Sequence, residues 1–206
     1  MLTVKSKRYL AHILIVIAVL IFSFVLFRAF YYAPSDEVPF APAPIENIES
    51  QAASVTPAVT GKPVQLVIPK INIDTKIQHV GITSKGNMAS PNNFVDAGWY
   101  KYGTIPGNRG SAVIAGHVNN GIAFPAIFYD LKKLEPGDEI LVTNENDELL
   151  RFIVTGSKTY AFDGKADEVF TEDSGKLLKL ITCTGTWVKK YGTHDQRLVV
   201  SAVLSE

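Results

Sequence analysis

One apolar run, from Tyr9 to Phe27, dominates the start of the chain and is interrupted only by His12 and Ser23. At about 1.5 Å per residue, a helix of this length spans roughly 30 Å, the thickness of the hydrocarbon core of a bilayer. The aromatic residues that follow favour a retained anchor over a cleaved signal, which needs a shorter apolar region and a small-residue cleavage site. Basic residues before the run orient the N-terminus inside the cell. Residues 1–32 are therefore predicted to be a cytoplasmic stub and a single-pass membrane anchor.

The pattern changes twice after this run. Residues 33–62 are rich in proline and poor in bulky apolar side chains, which predicts an extended extracellular tether without a core. Residues 63–206 alternate short apolar stretches, rich in β-branched side chains, with glycine, proline, asparagine and aspartate, a pattern typical of strands and turns. The predicted strands cover 64–68, 71–74, 77–80, 111–115, 139–142, 149–155, 177–182 and 198–204. We expect an all-β domain, a closed or nearly closed β-barrel, with one short helix at about Pro125–Leu134.

Charge and composition exclude some functions of this domain. The whole chain has 20 basic and 20 acidic residues, and no long basic run occurs after residue 62, which argues against nucleic acid as the partner. An acidic stretch at 163–173 offers oxygen ligands that suit Ca²⁺. It lacks any defined calcium-loop signature, so a solvated loop is the favoured interpretation. We expect no metal and no cofactor.

The only cysteine, Cys183, ends an apolar stretch and precedes a turn. A lone thiol forms no internal disulfide, so Cys183 is either a small buried hydrophobe or a nucleophile. An extracellular location exposes an unpaired thiol to oxidation, and keeping one there needs a reason. Strand ends are also where a rigid scaffold presents reactive groups. These two arguments favour the nucleophile.

Two further side chains lie at strand ends. His117 follows the apolar stretch 111–115, and an imidazole can take the thiol proton and later protonate a leaving amine. Arg197 opens the last strand, where a permanent cation can favour thiolate and hold a developing oxyanion. The interval between Cys183 and Arg197 is short enough for a single loop. Two adjacent antiparallel strands could therefore place Cys183 and Arg197 at the same end of the sheet. His194 is the rival to His117, whereas His12 lies in the span and His79 in an apolar strand.

Three segments in order, Ala115–Val118, Leu180–Cys183 and Gln196–Val200, resemble the motifs of the sortases, which are membrane-anchored cysteine transpeptidases of Gram-positive bacteria. The segment 96–100 and the form of the cysteine motif are most similar to class F sortases. The resemblance covers 63–206 and implies an eight-stranded β-barrel. It also implies a thioester acyl-enzyme, formed when a cysteine cleaves the Thr-Gly bond of an LPxTG-like sorting signal.

Carried onto this chain, the resemblance makes Cys183 the nucleophile, His117 the general acid/base and Arg197 the group that stabilises the oxyanion or positions the substrate. It also places Thr182, Asn119 and Ala115 on the substrate-binding side, and it assigns the loop 163–174 to cradling the sorting signal.

The implied partners are surface proteins or pilins that bear the signal, and an amine acceptor from a cell-wall precursor or a pilin lysine. The implied location is the cell membrane, with the catalytic domain outside.

The sequence departs from the family at two positions. Lys179 stands where the longer form of the cysteine motif has a threonine, and Asn119 stands where class F relatives often have aspartate. The alternatives are a sortase-like peptidase that only hydrolyses and a tethered, non-enzymatic β-barrel binding module. An L,D-transpeptidase and a papain-like peptidase are disfavoured, because the former's Ser and Gly before the cysteine are absent and the latter has cysteine before histidine.

Overall fold

The computed structural model describes residues 4–33, 37–38, 58–164 and 166–205. The first element, α1 (Val4–Tyr31), contains the window His12–Ala29, which has a mean hydropathy of 2.5 and is wholly exposed. By length and composition this helix can cross a membrane, and its exposed apolar surface is consistent with the predicted anchor. Anchoring itself and the orientation across the membrane stay predictions.

The rest of the described chain is mainly strand, with eight of its ten strands closed into one barrel in the order β10-β8-β7-β2-β3-β5-β6-β9. This confirms the expected closed eight-stranded β-barrel with few helices. The short helix is α2 (Glu168–Thr171), and two 3₁₀ turns lie at Pro69–Ile71 and Leu131–Lys133. The strands are β1 (Glu37–Val38), β2 (Pro63–Ile68), β3 (Ile73–Val80), β4 (Met88–Ala89), β5 (Ala97–Tyr100), β6 (Gly110–Ala115), β7 (Glu139–Asn144), β8 (Leu149–Ala161), β9 (Lys176–Val188) and β10 (Thr193–Leu204).

Two clusters of buried side chains lie on opposite faces of the barrel wall. The inner core takes alternate residues from every barrel strand, for example Ile114 on β6, Leu180 on β9 and Val200 on β10. The residues between them on the same three strands point outward into a second cluster. This outer cluster contains Val113, Ala115, Ile181 and Val199, and it is covered by Met88, Tyr100, Ala166 and Val169. The wall formed by β6, β9 and β10 is thus buried on both faces, which explains its nearly continuous apolar sequence.

The helix expected at about Pro125–Leu134 is wrong except for its last turn. The backbone N–H of Ala126 donates to the Val118 carbonyl and that of Phe128 donates to the His117 carbonyl. Tyr129 and Leu131 then donate to carbonyls three residues back, those of Ala126 and Phe128, in place of the four-residue spacing of an α-helix. Tertiary pairing therefore overrides the local preference here and leaves only the 3₁₀ turn Leu131–Lys133.

Strand boundaries also differ from the expectation. The two short strands predicted at 71–74 and 77–80 form one strand, β3, which starts after Asn72 adopts a left-handed conformation with φ of 53°. The short β5, Ala97–Tyr100, has four buried residues and no polar alternation that would mark it as a strand. In addition, β1 lies within the region expected to be a tether and pairs with β4. The limits of the three predicted regions stay predictions.

Lys179 is a buried cation in the outer face of the wall. Its Nζ donates to Glu172 Oε2 at 2.6 Å and to Ser201 Oγ at 3.0 Å. Hydrogen bonds to Glu172, first from Lys179 and then from Ser174, lower the pKa of this carboxyl group. This contact joins Glu172, directly after α2, to β9 of the barrel. Lys179, which departs from the family's cysteine motif, therefore has a structural partner.

We expect Lys179→Met to lower the free energy of unfolding at pH 7 by about 1–2 kcal/mol, since it removes a charged hydrogen bond that solvent partly screens. Folding lowers the pKa of Glu172. Its contribution to the free energy of unfolding is therefore complete at a pH above the pKa of the unfolded chain, and it is lost as the pH falls through the pKa of the folded protein. The difference between the variant and the wild type should therefore shrink in acid. Urea unfolding at pH 7 and pH 3 measures both effects.

Lys158→Met is the matched control, because Lys158 pairs with Glu168 on the surface, where both side chains are more than half exposed. Its effect should be much smaller. Equal effects of the two substitutions would contradict a structural role for the buried pair.

Candidate active site

Three neighbouring strands bring the three candidate residues into one row. The parallel pair β6–β9 aligns Ala115 with Ile181, and the antiparallel pair β9–β10 aligns Cys183 with Arg197. The ladder continues past β6, because Gly116 N donates to Ile181 O at 3.0 Å. Continued two residues beyond the last observed pair, this register brings His117 to the level of Cys183. Neighbouring strands lie about 4.8 Å apart, so this arrangement has Cys183 between His117 and Arg197.

The row opens into a cavity of about 330 Å³. His117, Cys183 and Arg197 all line it, together with an aromatic side made by Phe162, Trp187 and Tyr191. A second cavity of about 250 Å³ shares Cys183 with the first and extends past Tyr129 and Lys132. Residues that line both cavities are Val118, Asn119, Thr182, Cys183 and His194. The half-buried Cys183 thus lies where the two clefts meet.

His117 is held from the side away from the barrel. It is 7% exposed, and its Nε2 lies 3.0 Å from the carbonyl oxygen of Pro91. A carbonyl only accepts, so Nε2 carries a proton, and in the neutral form of the ring Nδ1 is the nitrogen with the free lone pair. The ring of Phe94 packs edge-on at 5.2 Å. Sequence reasoning missed both Pro91 and Phe94, which lie far from His117 along the chain and carry no motif.

Arg197 is almost wholly buried, with 1% of its surface exposed. Its Nη1 donates to the carbonyls of His194 and Gln196, both at 2.9 Å, and its Nη2 donates to Thr193 Oγ1 at 2.8 Å. These acceptors belong to the start of β10, so the residue's own strand fixes the guanidinium group. A buried, fully charged cation beside a thiol favours the thiolate form of cysteine.

A hydrogen bond joins β9, which carries Cys183, to the segment after β6 that carries His117. Thr182 Oγ1 donates to the Gly116 carbonyl at 2.8 Å, and Thr182 is 4% exposed. A Cβ added at Gly116 would lie 2.5 Å from the ring of Phe128. Glycine is required there because Phe128 packs directly over the backbone. Thr182 also lines both cavities, so the structure gives it a structural contact in addition to its predicted place near the substrate.

The other two residues expected on the substrate-binding side occupy different places. Asn119 lines both cavities and forms an isolated bridge with Pro125. Ala115 is 1% exposed and belongs to the outer cluster beneath the row. It is absent from the described residues that line the two cavities, so it supports the site by packing.

His194 shares the cavity with His117 but differs in its surroundings. Its ring packs edge-on against Trp187 at 5.4 Å. Burial first, and then the positive charge of Arg197, lowers the pKa of His194. Both effects disfavour protonation of His194 beside Arg197.

The acidic stretch at 163–173 does not gather into a metal site among the described residues, where no group of three or more His, Cys, Asp or Glu side chains could hold a metal ion. Two of its carboxylates have cationic partners instead. Glu172 binds Lys179, and Asp173 binds Arg109 at 2.8 Å.

Comparison with known families identifies the fold. The sortase domain family matches residues 66–205, more than half of the chain. The chain therefore belongs to the sortase family, whose members are cysteine transpeptidases. Comparison with curated proteins gave no match.

Solved sortases share the architecture. Sortase C1 of Streptococcus agalactiae is 26% identical with a TM-score of 0.54, over 71% of this chain and 69% of that one. Sortase A of Corynebacterium diphtheriae is 22% identical with a TM-score of 0.54, over 71% of this chain and 62% of that one. Sortase D5 of Clostridium perfringens is 22% identical with a TM-score of 0.51, over 71% and 79%. The last two likenesses concern the fold alone, and the class F assignment stays a prediction.

We expect Thr182→Val to lower the free energy of unfolding by about 1–3 kcal/mol, because it leaves the buried Gly116 carbonyl without its donor. Thr182→Ser keeps the hydroxyl and should lose much less. Urea denaturation of both variants measures the difference. Full stability of Thr182→Val would show that the contact with Gly116 contributes nothing to the fold.

Proposed function

We propose that this protein is a membrane-anchored cysteine transpeptidase that cleaves an LPxTG-like sorting signal between threonine and glycine and transfers the new carboxyl end to an amine. The observation that carries the proposal is the row formed by His117, Cys183 and Arg197 at one cavity. Membership of the sortase family supports the reaction class. The two clefts that meet at the thiol suit a reaction in which an acyl donor and an amine approach the same atom.

In the first half of the reaction, the thiolate of Cys183 attacks the threonine carbonyl carbon of the signal. The carbonyl oxygen becomes an oxyanion, and the C–N bond to glycine then breaks. The imidazolium of His117 gives its proton to the departing amine, so the products are a thioester and a peptide with a free N-terminus. The Pro91 carbonyl keeps a proton on Nε2 throughout, which leaves Nδ1 as the atom that exchanges protons.

In the second half, an amine attacks the thioester carbon. His117 takes a proton from the attacking nitrogen, and the sulfur of Cys183 leaves as thiolate. Arg197 stabilises the oxyanion of both tetrahedral intermediates or positions the substrate. Its burial supports this role, since solvent screens a buried cation little, and its hydrogen bonds to β10 fix it before the substrate arrives.

The proposed donors are surface proteins or pilins with a C-terminal sorting signal, and the proposed acceptors are a cell-wall precursor or a pilin lysine. We place the barrel outside the cell, anchored by α1, because this is where such substrates emerge. Thr182 and Asn119 would contact the signal from the shared edge of the two cavities. Within the family, we favour class F, on the segment 96–100 and the form of the cysteine motif.

Hydrolysis alone is the second candidate function, because water can enter the same open cavity and attack the thioester. A non-enzymatic binding module is the third. The transpeptidase and the peptidase both need an activated Cys183 thiol, whereas the binding module does not.

The test uses a panel of quenched LPxTG-like peptides with and without amine acceptors. We expect cleavage after threonine and a ligated product that depends on the amine. His117→Gln should lower kcat/KM by about 10²–10⁴ through loss of general acid/base catalysis. His194→Gln should cost much less, and Cys183→Ala should abolish turnover. Mass spectrometry of the products distinguishes transfer from hydrolysis.

Two outcomes contradict the proposal in different ways. If the peptides are cleaved but only hydrolysed, with the same products whether or not an amine is present, the protein is a peptidase. Slow, equal alkylation of Cys183 near neutral pH in the wild type and in His117→Gln, with no peptide cleaved, would favour the binding module.

A further inference from the structure

The chain that leaves the membrane helix pairs with the barrel beside the candidate site. Phe94 N donates to Tyr31 O at 3.3 Å, and Ala33 N donates to Asn92 O at 3.0 Å. Between these bonds, Tyr32 forms an antiparallel bridge with Asn93. Further along, β1 pairs with β4 in the same antiparallel sense. The segment 31–33 and β1 therefore lie along one edge of the segment 88–94.

The segment 88–94 also contacts the candidate catalytic histidine. The Pro91 carbonyl accepts from His117 Nε2, and Phe94 packs against the imidazole ring. Ser90 lines the larger cavity. A single stretch of backbone thus contacts the end of the membrane anchor and fixes the imidazole, and the two carbonyls involved belong to the adjacent residues Pro91 and Asn92.

The barrel holds this stretch at further points. Gln78 Nε2 donates to Asn92 Oδ1 at 3.0 Å and to Asp96 Oδ2 at 2.9 Å. Asn93 is 4% exposed, and its side chain donates to Asp96 while it accepts from the backbone of Val95 and Asp96. Met88 is fully buried in the outer cluster. The stretch is fixed by the barrel on one side, and the anchor segment supplies the backbone partners on the other.

We propose that the segment Tyr31–Ala33 is a positioning element for His117, an inference that rests on the proposed transpeptidase function. The anchor segment completes the backbone pairing of 92–94 and thereby fixes the Pro91 carbonyl, which sets the tautomer and orientation of the imidazole. Docking of the membrane-proximal chain thus adds to the barrel's own contacts in holding the ring in the Nε2–H tautomer, which leaves Nδ1 as the proton-exchanging nitrogen. This arrangement couples attachment to the membrane with catalytic competence.

A purely structural role for the same contacts would make a different prediction. If the pairing only holds the barrel near the bilayer, its loss would leave the imidazole unchanged. The test therefore needs a direct readout of His117 as well as activity.

The experiment compares the full chain in lipid nanodiscs with Ala33→Pro, which removes the N–H that donates to Asn92 O. Ala33→Ser keeps this N–H and is the matched control. Long-range ¹H–¹⁵N spectra of ¹⁵N-histidine protein report the tautomer, and His117→Gln assigns the His117 signals. We expect the Nε2–H tautomer in the wild type and in Ala33→Ser, and a mixed or altered state in Ala33→Pro.

With a cleavable LPxTG-like peptide, kcat of Ala33→Pro should fall of the order of tenfold, since small misplacements of a catalytic group are costly. KM should stay close to that of the wild type. Unchanged His117 signals and kcat in Ala33→Pro, or equal losses in Ala33→Ser, would overturn the proposal. The spectra remain informative if no peptide is cleaved, so failure of the proposed function is distinguishable from failure of this inference.

Thermal unfolding checks that Ala33→Pro keeps its fold. If it does not, replacement of Ala33 by lactic acid in cell-free translation removes the same donor without a proline ring. The ester variant should show the same altered His117 signals, and a wild-type spectrum would overturn the proposal.

Discussion

The parallel pairing of β6 with β9 is the constraint on which the candidate site depends. Parallel neighbours cannot be joined by a tight turn, so the chain between them must leave the wall and return. Here that connection builds β7, β8 and α2 before it comes back. The register Ala115 with Ile181 then decides that His117 lies beside Cys183. A shift of one residue would turn the row of side chains to the other face of the sheet.

The wall that carries the site also buries several polar groups. Lys179, Thr182 and Arg197 lie on β9 and β10, and each has partners in backbone or side-chain oxygens. Lys179 and Arg197 alternate with the inner core and share the outer face with Ile181 and Val199, whereas Thr182 lies on the inner side with Leu180. Buried polar groups are costly without such partners, and with them they specify one arrangement. Lys179 and Arg197 thus lie on the same face as the apolar outer cluster. Among the described residues, the row of the site is backed by this packing and opens at two clefts.

Several features of the fold and the site could be read from the chain because they are local. The long apolar run predicted α1, and short β-branched stretches between turn residues predicted a closed barrel. Cys183 and Arg197 were expected at one end of adjacent strands, and β9 and β10 do form a hairpin that aligns them. Each of these follows from patterns within a few tens of residues. The roles of these side chains remain proposals.

The amino-acid sequence by itself therefore determined the long apolar helix, the class of fold and the candidate residues. Tertiary structure alone decided how distant segments meet: the parallel alignment of β6 with β9, the loss of the helix near Pro125 and the contact between Pro91 and His117. The physical reason is the same in each case. Backbone donors and acceptors are satisfied by segments far away along the chain, and no local pattern records which distant carbonyl a given N–H will find.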